Sequence, residues 1–243
     1  RASAGTDSHY PSPVGHRMTP WVLLDTARIP GRASGELRLY QRGDEFSIKA
    51  GTCDLMNSRV HGSEDALAGS GCAHLRGQAR PRVLIGGLGM GYTLAAALTQ
   101  LDVAAEIVVA ELVSVVVAWN RGPLADLAGR PLDDARVQVC EQDVGLIMRA
   151  ERDGFDAILL DVDNGPEGLT RQTNDWLYGL EGLAAAYAAL RPGGVLAVWS
   201  AGPEPAFAQR LRKIGFAVEE TRVRAHAGKR GARHVIWLAT RAV

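Results

Sequence analysis

Residues 82–91 read Arg82-Val83-Leu84-Ile85-Gly86-Gly87-Leu88-Gly89-Met90-Gly91, and a carboxylate, Glu111, stands downstream of them. An apolar run (Val83, Leu84, Ile85) passes straight into a loop with glycines at 86, 87, 89 and 91, and a helical pattern begins at Tyr92. A short continuous apolar run is how a parallel strand buried on both faces reads. Its carboxyl end, feeding a glycine-rich turn, is where doubly wound α/β sheets bind nucleotides. The glycines let the backbone approach a ligand and adopt dihedrals closed to other residues.

The spacing narrows the ligand. A dinucleotide fingerprint requires G-x-G-x-x-G, and after Gly87 and Gly89 the last position holds Tyr92, so the pattern fails. The spacing present is G-x-G-x-G (Gly87, Gly89, Gly91), the turn usual in the S-adenosylmethionine-binding Rossmann-like fold. The next apolar run, Glu106 to Ala110, ends at Glu111. A carboxylate about 20 residues past the loop is placed to accept both ribose hydroxyls. The plainer alternative is a structural turn, with Glu111 an acid at a helix start.

From residue 82 onward, strand and helix patterns alternate, as in a parallel sheet. Strands are expected at 82–86, 106–110, 136–140, 155–161, 194–200, 215–220 and 233–240. Helices are expected at about 92–101, 112–121, 144–151, 173–191 and 204–213. Arg191-Pro192-Gly193-Gly194 is expected to stop the long helix and turn into the fifth strand. The last two strands, joined without a helical pattern, should pair as a hairpin. The expectation is an α/β, Rossmann-like, seven-stranded methyltransferase fold with its last strand antiparallel.

Before it, from Trp21, four short strand patterns are separated by Pro30-Gly31, Arg42-Gly43-Asp44 and Gly51. They read as a small antiparallel sheet, too small to stand alone. Ser63 is the expected N-cap of a following helix that runs to about Arg76. Three segments result: a tail over 1–20, resembling a tag or disordered extension with Met18 a plausible native start; a β-hairpin subdomain over 21–60; and a nucleotide-binding catalytic domain over 61–243.

Composition removes other classes. Twenty-seven basic and 27 acidic side chains balance, which argues against a nucleic acid partner. No apolar stretch approaches a membrane span, and no signal-peptide pattern is seen, so a soluble cytoplasmic protein is expected. Three cysteines (Cys53, Cys72, Cys140) without C-x-x-C spacing fit a reducing compartment. There is no metal-ligand spacing, nucleophile elbow or P-loop lysine. The basic hairpin of His226, Lys229, Arg230 and Arg233 reads as a solvated edge.

Ligands of open α/β sheets lie outside the carboxyl ends of the strands, so the polar residues there are the site candidates. After the third strand comes Asp143, placed to hydrogen-bond an adenine amino group, with Val144 able to cover the ring. After the fourth comes Asp161-Val162-Asp163-Asn164-Gly165-Pro166 at the mouth of the apolar run Phe155 to Leu160. Two carboxylates there suit a cationic amine: they neutralise its charge, and one can take its proton so that neutral nitrogen attacks the carbon beside a sulfonium. Helix and turn capping are the alternative roles for these acids. Tyr92 and Trp176 read equally as acceptor-pocket or core residues, and Trp119 as packing.

The order of hairpin sheet, VLIGGLGMGYT, VVVAELV, EQD, DAILLDVDNGP and LRPGGVLAVWS resembles the spermidine synthase-like family of polyamine aminopropyltransferases, over nearly the whole chain after Trp21. The resemblance implies a donor, decarboxylated S-adenosylmethionine, held by Gly86, Gly87, Gly89, Gly91, Glu111, Leu112, Asp143 and Val144. Asp161 and Asp163 would be the catalytic carboxylates. Asp163, Asn164, Tyr92, His61 and Glu64 would meet a small-molecule amine, although a loop or interface histidine is the simpler reading of His61. A homodimer is expected, and no metal. Residues 86–91 hold no acid, where this family usually carries an aspartate facing the aminopropyl ammonium. That absence motivates a second reading, S-adenosylmethionine-dependent methyl transfer to a small molecule. A third is a non-catalytic adenosyl-binding homologue.

Overall fold

The computed structural model describes residues 19–29, 35–162, 176–224 and 233–243. Met18, Pro30, Gly31, Asp163, Asn164, Gly165, Pro166, His226, Lys229 and Arg230 lie outside the described residues, as does the start of the helix expected over 173–191.

Four strands open the chain: β1 (Val22–Arg28), β2 (Glu36–Arg42), β3 (Glu45–Ala50) and β4 (Cys53–Asn57). They pair antiparallel in sequence order. Gly43 and Gly51 turn the chain between them at φ 59° and 58°. The alternation predicted in β2 is realised: Leu37 and Leu39, with Phe46 and Ile48 of β3, face inward. Those four side chains belong to one continuous core with Leu67 and Leu75 beyond the sheet. A sheet this small lacks the apolar area to hold itself together, and burial against the rest of the chain supplies it.

Helix α1 (Gly62–Gly71) follows, with His61 as its N-cap and no side-chain capping bond. Ser63, the expected cap, lies inside the first turn instead, where its Oγ donates to Glu64 Oε2 at 2.7 Å. The helix also stops at Gly71, short of Arg76, and gives way to a 3-10 turn over Ala73–Leu75. Gly71 lies so close to the Leu159 side chain that a Cβ would collide with it.

The main sheet comprises β5 (Arg82–Gly86), β6 (Glu106–Ala110), β7 (Val137–Cys140), β8 (Phe155–Leu160), β9 (Leu190–Ser200), β10 (Phe216–Arg224) and β11 (Arg233–Arg241). Their order is β10-β11-β9-β8-β5-β6-β7. β7 through β9 pair in parallel. β11 runs antiparallel to both its neighbours, so it alone opposes the others. The helices between are α2 (Tyr92–Gln100), α3 (Ser114–Arg121), α4 (Val144–Ala150), α5 (Leu180–Ala189) and α6 (Pro205–Ile214). One face of the sheet packs on α1, α2, α3 and the small sheet, the other on α4, α5 and α6. The small sheet is also tied to α3, because Trp119 Nε1 donates to Asp25 Oδ2 at 2.8 Å.

Arg191-Pro192-Gly193-Gly194 is not a loop. It lies within β9 as an irregular extension: Phe155 pairs with Leu190 and Ala157 with Val195, so β9 takes extra residues against β8. Gly193 at φ 79° absorbs the excess. Among the described residues, no helix is long and apolar enough to cross a membrane.

Candidate active site

The chain runs from β5 outward through β6 to β7 and then crosses back to β8 on the other side of β5, the kind of switch point at which α/β sheets take ligands. Backbone bonds hold the strand tips there side by side. Gly87 N donates to Ala110 O (2.9 Å), Asp161 N to Gly86 O (3.0 Å) and Glu111 N to Cys140 O (3.0 Å). Gly87, Gly89 and Gly91 have φ of 88°, 53° and 84°, in the region that favours glycine. A Cβ on Gly87 would strike the Asp161 carbonyl, and one on Gly89 would strike the Met56 side chain, whose Sδ would lie 2.8 Å away. Leu88 and Met90, 4 % and 2 % exposed, turn into the core, so the loop offers a ligand mainly backbone. Asn120 Nδ2, which sequence reasoning missed, fixes the loop by donating to Gly89 O at 2.8 Å.

Glu111 is buried at the tip of β6. Its Oε2 accepts from Leu88 N at 2.9 Å and its Oε1 from Val113 N at 2.8 Å. The carboxylate therefore ties the glycine loop to the approach of α3. Leu112, next to it, is exposed. Asp143 is the N-cap of α4, its Oδ1 accepting from Gly145 N at 2.6 Å. Val144 is buried, and its Cγ2 would stand 3.0 Å from a Cβ on Gly86. Trp176 lies against Gly145, with the Arg149 guanidinium 3.7 Å from its ring centre. This puts Trp176 beside Asp143.

At the tip of β8, Asp161 Oδ2 accepts from Thr93 Oγ1 at 2.8 Å. Burial pushes the Asp161 carboxyl up to about 7; the charge of Glu64 adds to the rise, and the Thr93 bond opposes it. Glu64, in the first turn of α1, is itself pushed up, by burial first, with its bond from Ser63 opposing. Tyr92 stacks on His61 with ring centres 4.2 Å apart, and its hydroxyl donates to Ser58 O at 3.0 Å. Burial, then the charges of Glu64 and Asp65, lift the Tyr92 phenol to about 12. His61 Nδ1 is paired with Asp65 Oδ2 at 2.9 Å.

The structure thus gathers Asp161, Glu64, Tyr92 and His61 where α1, α2 and β8 meet; Asp163 and Asn164 lie outside the described residues. Thr93 was not anticipated. Its only sequence signal is a polar residue in the first turn after a glycine loop, and the partner sits on a distant strand. Two carboxylates share this corner, and neither is paired with lysine or arginine among the described residues, which favours a cationic ligand. No group of His, Cys, Asp and Glu suited to a metal ion occurs among the described residues. The Cys72 thiol is pushed up to about 12 by burial, so it is a packing residue rather than a nucleophile.

This topology, with its reversed β11 and its glycine turn after the first parallel strand, is the Rossmann-like fold of class I S-adenosylmethionine-dependent methyltransferases, preceded by an antiparallel sheet. Solved structures sharing it include spermidine synthases. The enzyme from Thermotoga maritima superposes with a TM-score of 0.72 at 16% identity, over 91% of this chain and 73% of that one. A spermidine synthase in complex with the transition state analogue AdoDATO gives 0.70 at 17% identity, with the same coverage of 91% and 73%. A probable spermidine synthase from Corynebacterium glutamicum gives 0.62 at 13%, over 90% and 79%. At these identities the likeness is one of fold. No protein-family model matches the chain, and no curated protein matches it by sequence.

Proposed function

We propose that the chain is an alkyltransferase of the spermidine synthase type, moving an aminopropyl group from decarboxylated S-adenosylmethionine to a small amine. The observation that carries this reading is Asp161, a part-buried carboxylate raised to about 7 beside a second carboxylate, at the tip of a strand adjoining the glycine loop. The strand tips suit an adenosyl group. Glu111 stands at the tip of β6 where ribose hydroxyls would lie, Asp143 faces solvent where an adenine amino group would bind, and Val144 and Leu112 supply apolar cover. The bound donor contributes a carbon activated by its sulfonium.

Asp161 takes a proton from the ammonium form of the acceptor. The freed nitrogen lone pair forms the new carbon–nitrogen bond as the carbon–sulfur bond breaks, its electrons passing to sulfur and cancelling the sulfonium charge. His61, Tyr92 and Glu64 flank the amine and keep it aligned. Incubation with decarboxylated S-adenosylmethionine and a panel of amines should release methylthioadenosine; no release with any amine counts against the reading.

One observation favours methyl transfer instead. The loop holds no acid, and the Met56 thioether fills the space beside Gly89. A donor ammonium lying there has no counter-charge from the loop, which is costly in a desolvated site. Titration calorimetry separates the two, since tighter binding of S-adenosylmethionine than of its decarboxylated form rejects aminopropyl transfer. A homodimer is also proposed: β1 is an edge strand, and its Val22, Leu23 and Leu24 are 55 %, 48 % and 40 % exposed. Light scattering reads the mass directly.

A further inference from the structure

Trp199 stands beside Asp161, and His234 packs on its far side. Leu160 of β8 pairs with Val198 of β9 in parallel register, so the next residues on the two strands, Asp161 and Trp199, are neighbours. Side chains alternate along a strand. Leu160 and Val198 belong to the core under α4, α5 and α6. Asp161 and Trp199 therefore project from the other face, where Trp199 packs with the core under α1 and Asp161 meets α2 through Thr93. Trp199 pairs with Ile236 of β11, and His234, two residues earlier, returns to that same face. The Trp199 and His234 rings are 4.7 Å apart and tilted by 34°.

Both rings carry a nitrogen without a hydrogen-bond partner. Trp199 Nε1 and His234 Nδ1 are buried and unbonded among the described residues. A buried polar group left unpaired is destabilising, and native proteins keep such groups chiefly where a ligand or water completes them. An indole N–H can only donate, so its partner must offer a lone pair. A second ammonium would present donor to donor. Burial lowers His234, which keeps the imidazole neutral and able to accept or donate at Nδ1. A hydroxyl group answers both needs, accepting from Trp199 and donating to His234.

We propose that Trp199 and His234 form the far half of the acceptor site and select an amino alcohol, whose amine lies at Asp161 and whose hydroxyl meets the ring edges at Trp199 Nε1 and His234 Nδ1. This rests on the reading of Asp161 as the residue that receives the amine, and it names the substrate class of that site.

The test compares three acceptors of equal chain length: aminobutanol, putrescine and butylamine. Wild-type protein should favour aminobutanol over both by about tenfold in kcat/KM, carried by KM, the order expected of one hydrogen bond. Trp199→Phe and His234→Phe keep a ring and lose the nitrogen, and each should bring aminobutanol and butylamine close to parity. Putrescine preferred by the wild type, or the aminobutanol preference surviving in Trp199→Phe, overturns the proposal. Binding is read separately from the Trp199 indole N–H resonance, assigned by its absence in Trp199→Phe. It should move with aminobutanol and hold still with butylamine; a peak unmoved by aminobutanol overturns the proposal. A shift without transfer product from any amine leaves this subsite standing and removes the transferase reading alone.

Discussion

Thr93 Oγ1 donates to Asp161 Oδ2 across 2.8 Å, joining the first turn of α2 to the tip of a strand 68 residues later in the chain. Two opposed effects meet at that carboxylate. Its surroundings, with Glu64 behind them, favour the neutral acid, and the hydroxyl favours the anion. A balance near 7 suits the base that the proposed reaction asks of Asp161, one that holds a proton at mildly acidic pH and can accept one above neutrality.

Asp161→Asn should lower kcat about 100-fold to 10,000-fold while the donor still binds, because only proton transfer is lost. It should also change the pH dependence of folding. Asp161 rises from an ordinary 3.8 to about 7 on folding. Between those values the folded chain holds a proton that the unfolded chain releases. Its stabilising contribution is therefore full below about pH 4 and is lost as pH rises through 7. Denaturation midpoints measured from pH 4 to 8 should fall less steeply in Asp161→Asn than in the wild type; parallel curves contradict the assignment.

Thr93→Val tests the opposing half of the balance. Losing the donor lifts Asp161 further, so the acidic limb of the kcat/KM profile should move to higher pH, and the rate recover in alkaline buffer. Above pH 7 the same change should cost about 2 kcal/mol of stability, the loss of a hydrogen bond to a charged group. An unshifted limb would mean that another group controls the rate.

The succession of strands and helices, the reversed β11 and the glycine turn were legible because each rests on local signals: apolar runs, glycines, a hairpin without a helix. The pairing of residues remote in sequence was not. Thr93 with Asp161, Asn120 with Gly89, and Trp199 with His234 depend on which strands become neighbours and on their register, neither of which a linear pattern states. Asp156 shows the same limit. It interrupts the apolar run of β8 and anchors the far end of that strand, accepting from Arg82 N at 2.7 Å, Arg191 Nη1 at 2.6 Å and Gln78 Nε2 at 3.1 Å. Arg191-Pro192-Gly193-Gly194 misled for a different reason. Proline and glycine mark a break in regular structure, and a widened strand is as valid a break as a loop.

Gly87→Ala should be far more damaging than a glycine change with the same backbone requirement elsewhere. Gly43 has φ 59° with open space around its Cα, so Gly43→Ala costs only left-handed strain, about 1 kcal/mol. At Gly87 the new methyl also meets the Asp161 carbonyl, part of the backbone and unable to yield without moving the proposed catalytic residue. A loss of roughly 3 kcal/mol is expected, together with weakened donor binding. Equal denaturation midpoints for the two variants would show that the turn relaxes freely.

Glu111→Gln keeps size and shape and removes one acceptor. The carboxylate now takes Leu88 N on one oxygen and Val113 N on the other. An amide can satisfy only one, and its NH₂ then opposes the remaining N–H, so about 1–3 kcal/mol of stability should be lost. The proposed ribose contacts suffer in the same step. A carboxylate accepts from both hydroxyls, while an amide accepts from one, and the affinity for S-adenosylmethionine or its decarboxylated form should drop about 10-fold to 100-fold. Isothermal titration with methylthioadenosine isolates this effect, because that ligand has the ribose and adenine but neither the sulfonium charge nor the donor's charged terminus. If methylthioadenosine binds Glu111→Gln as tightly as the wild type, Glu111 serves the loop alone and the ribose lies elsewhere.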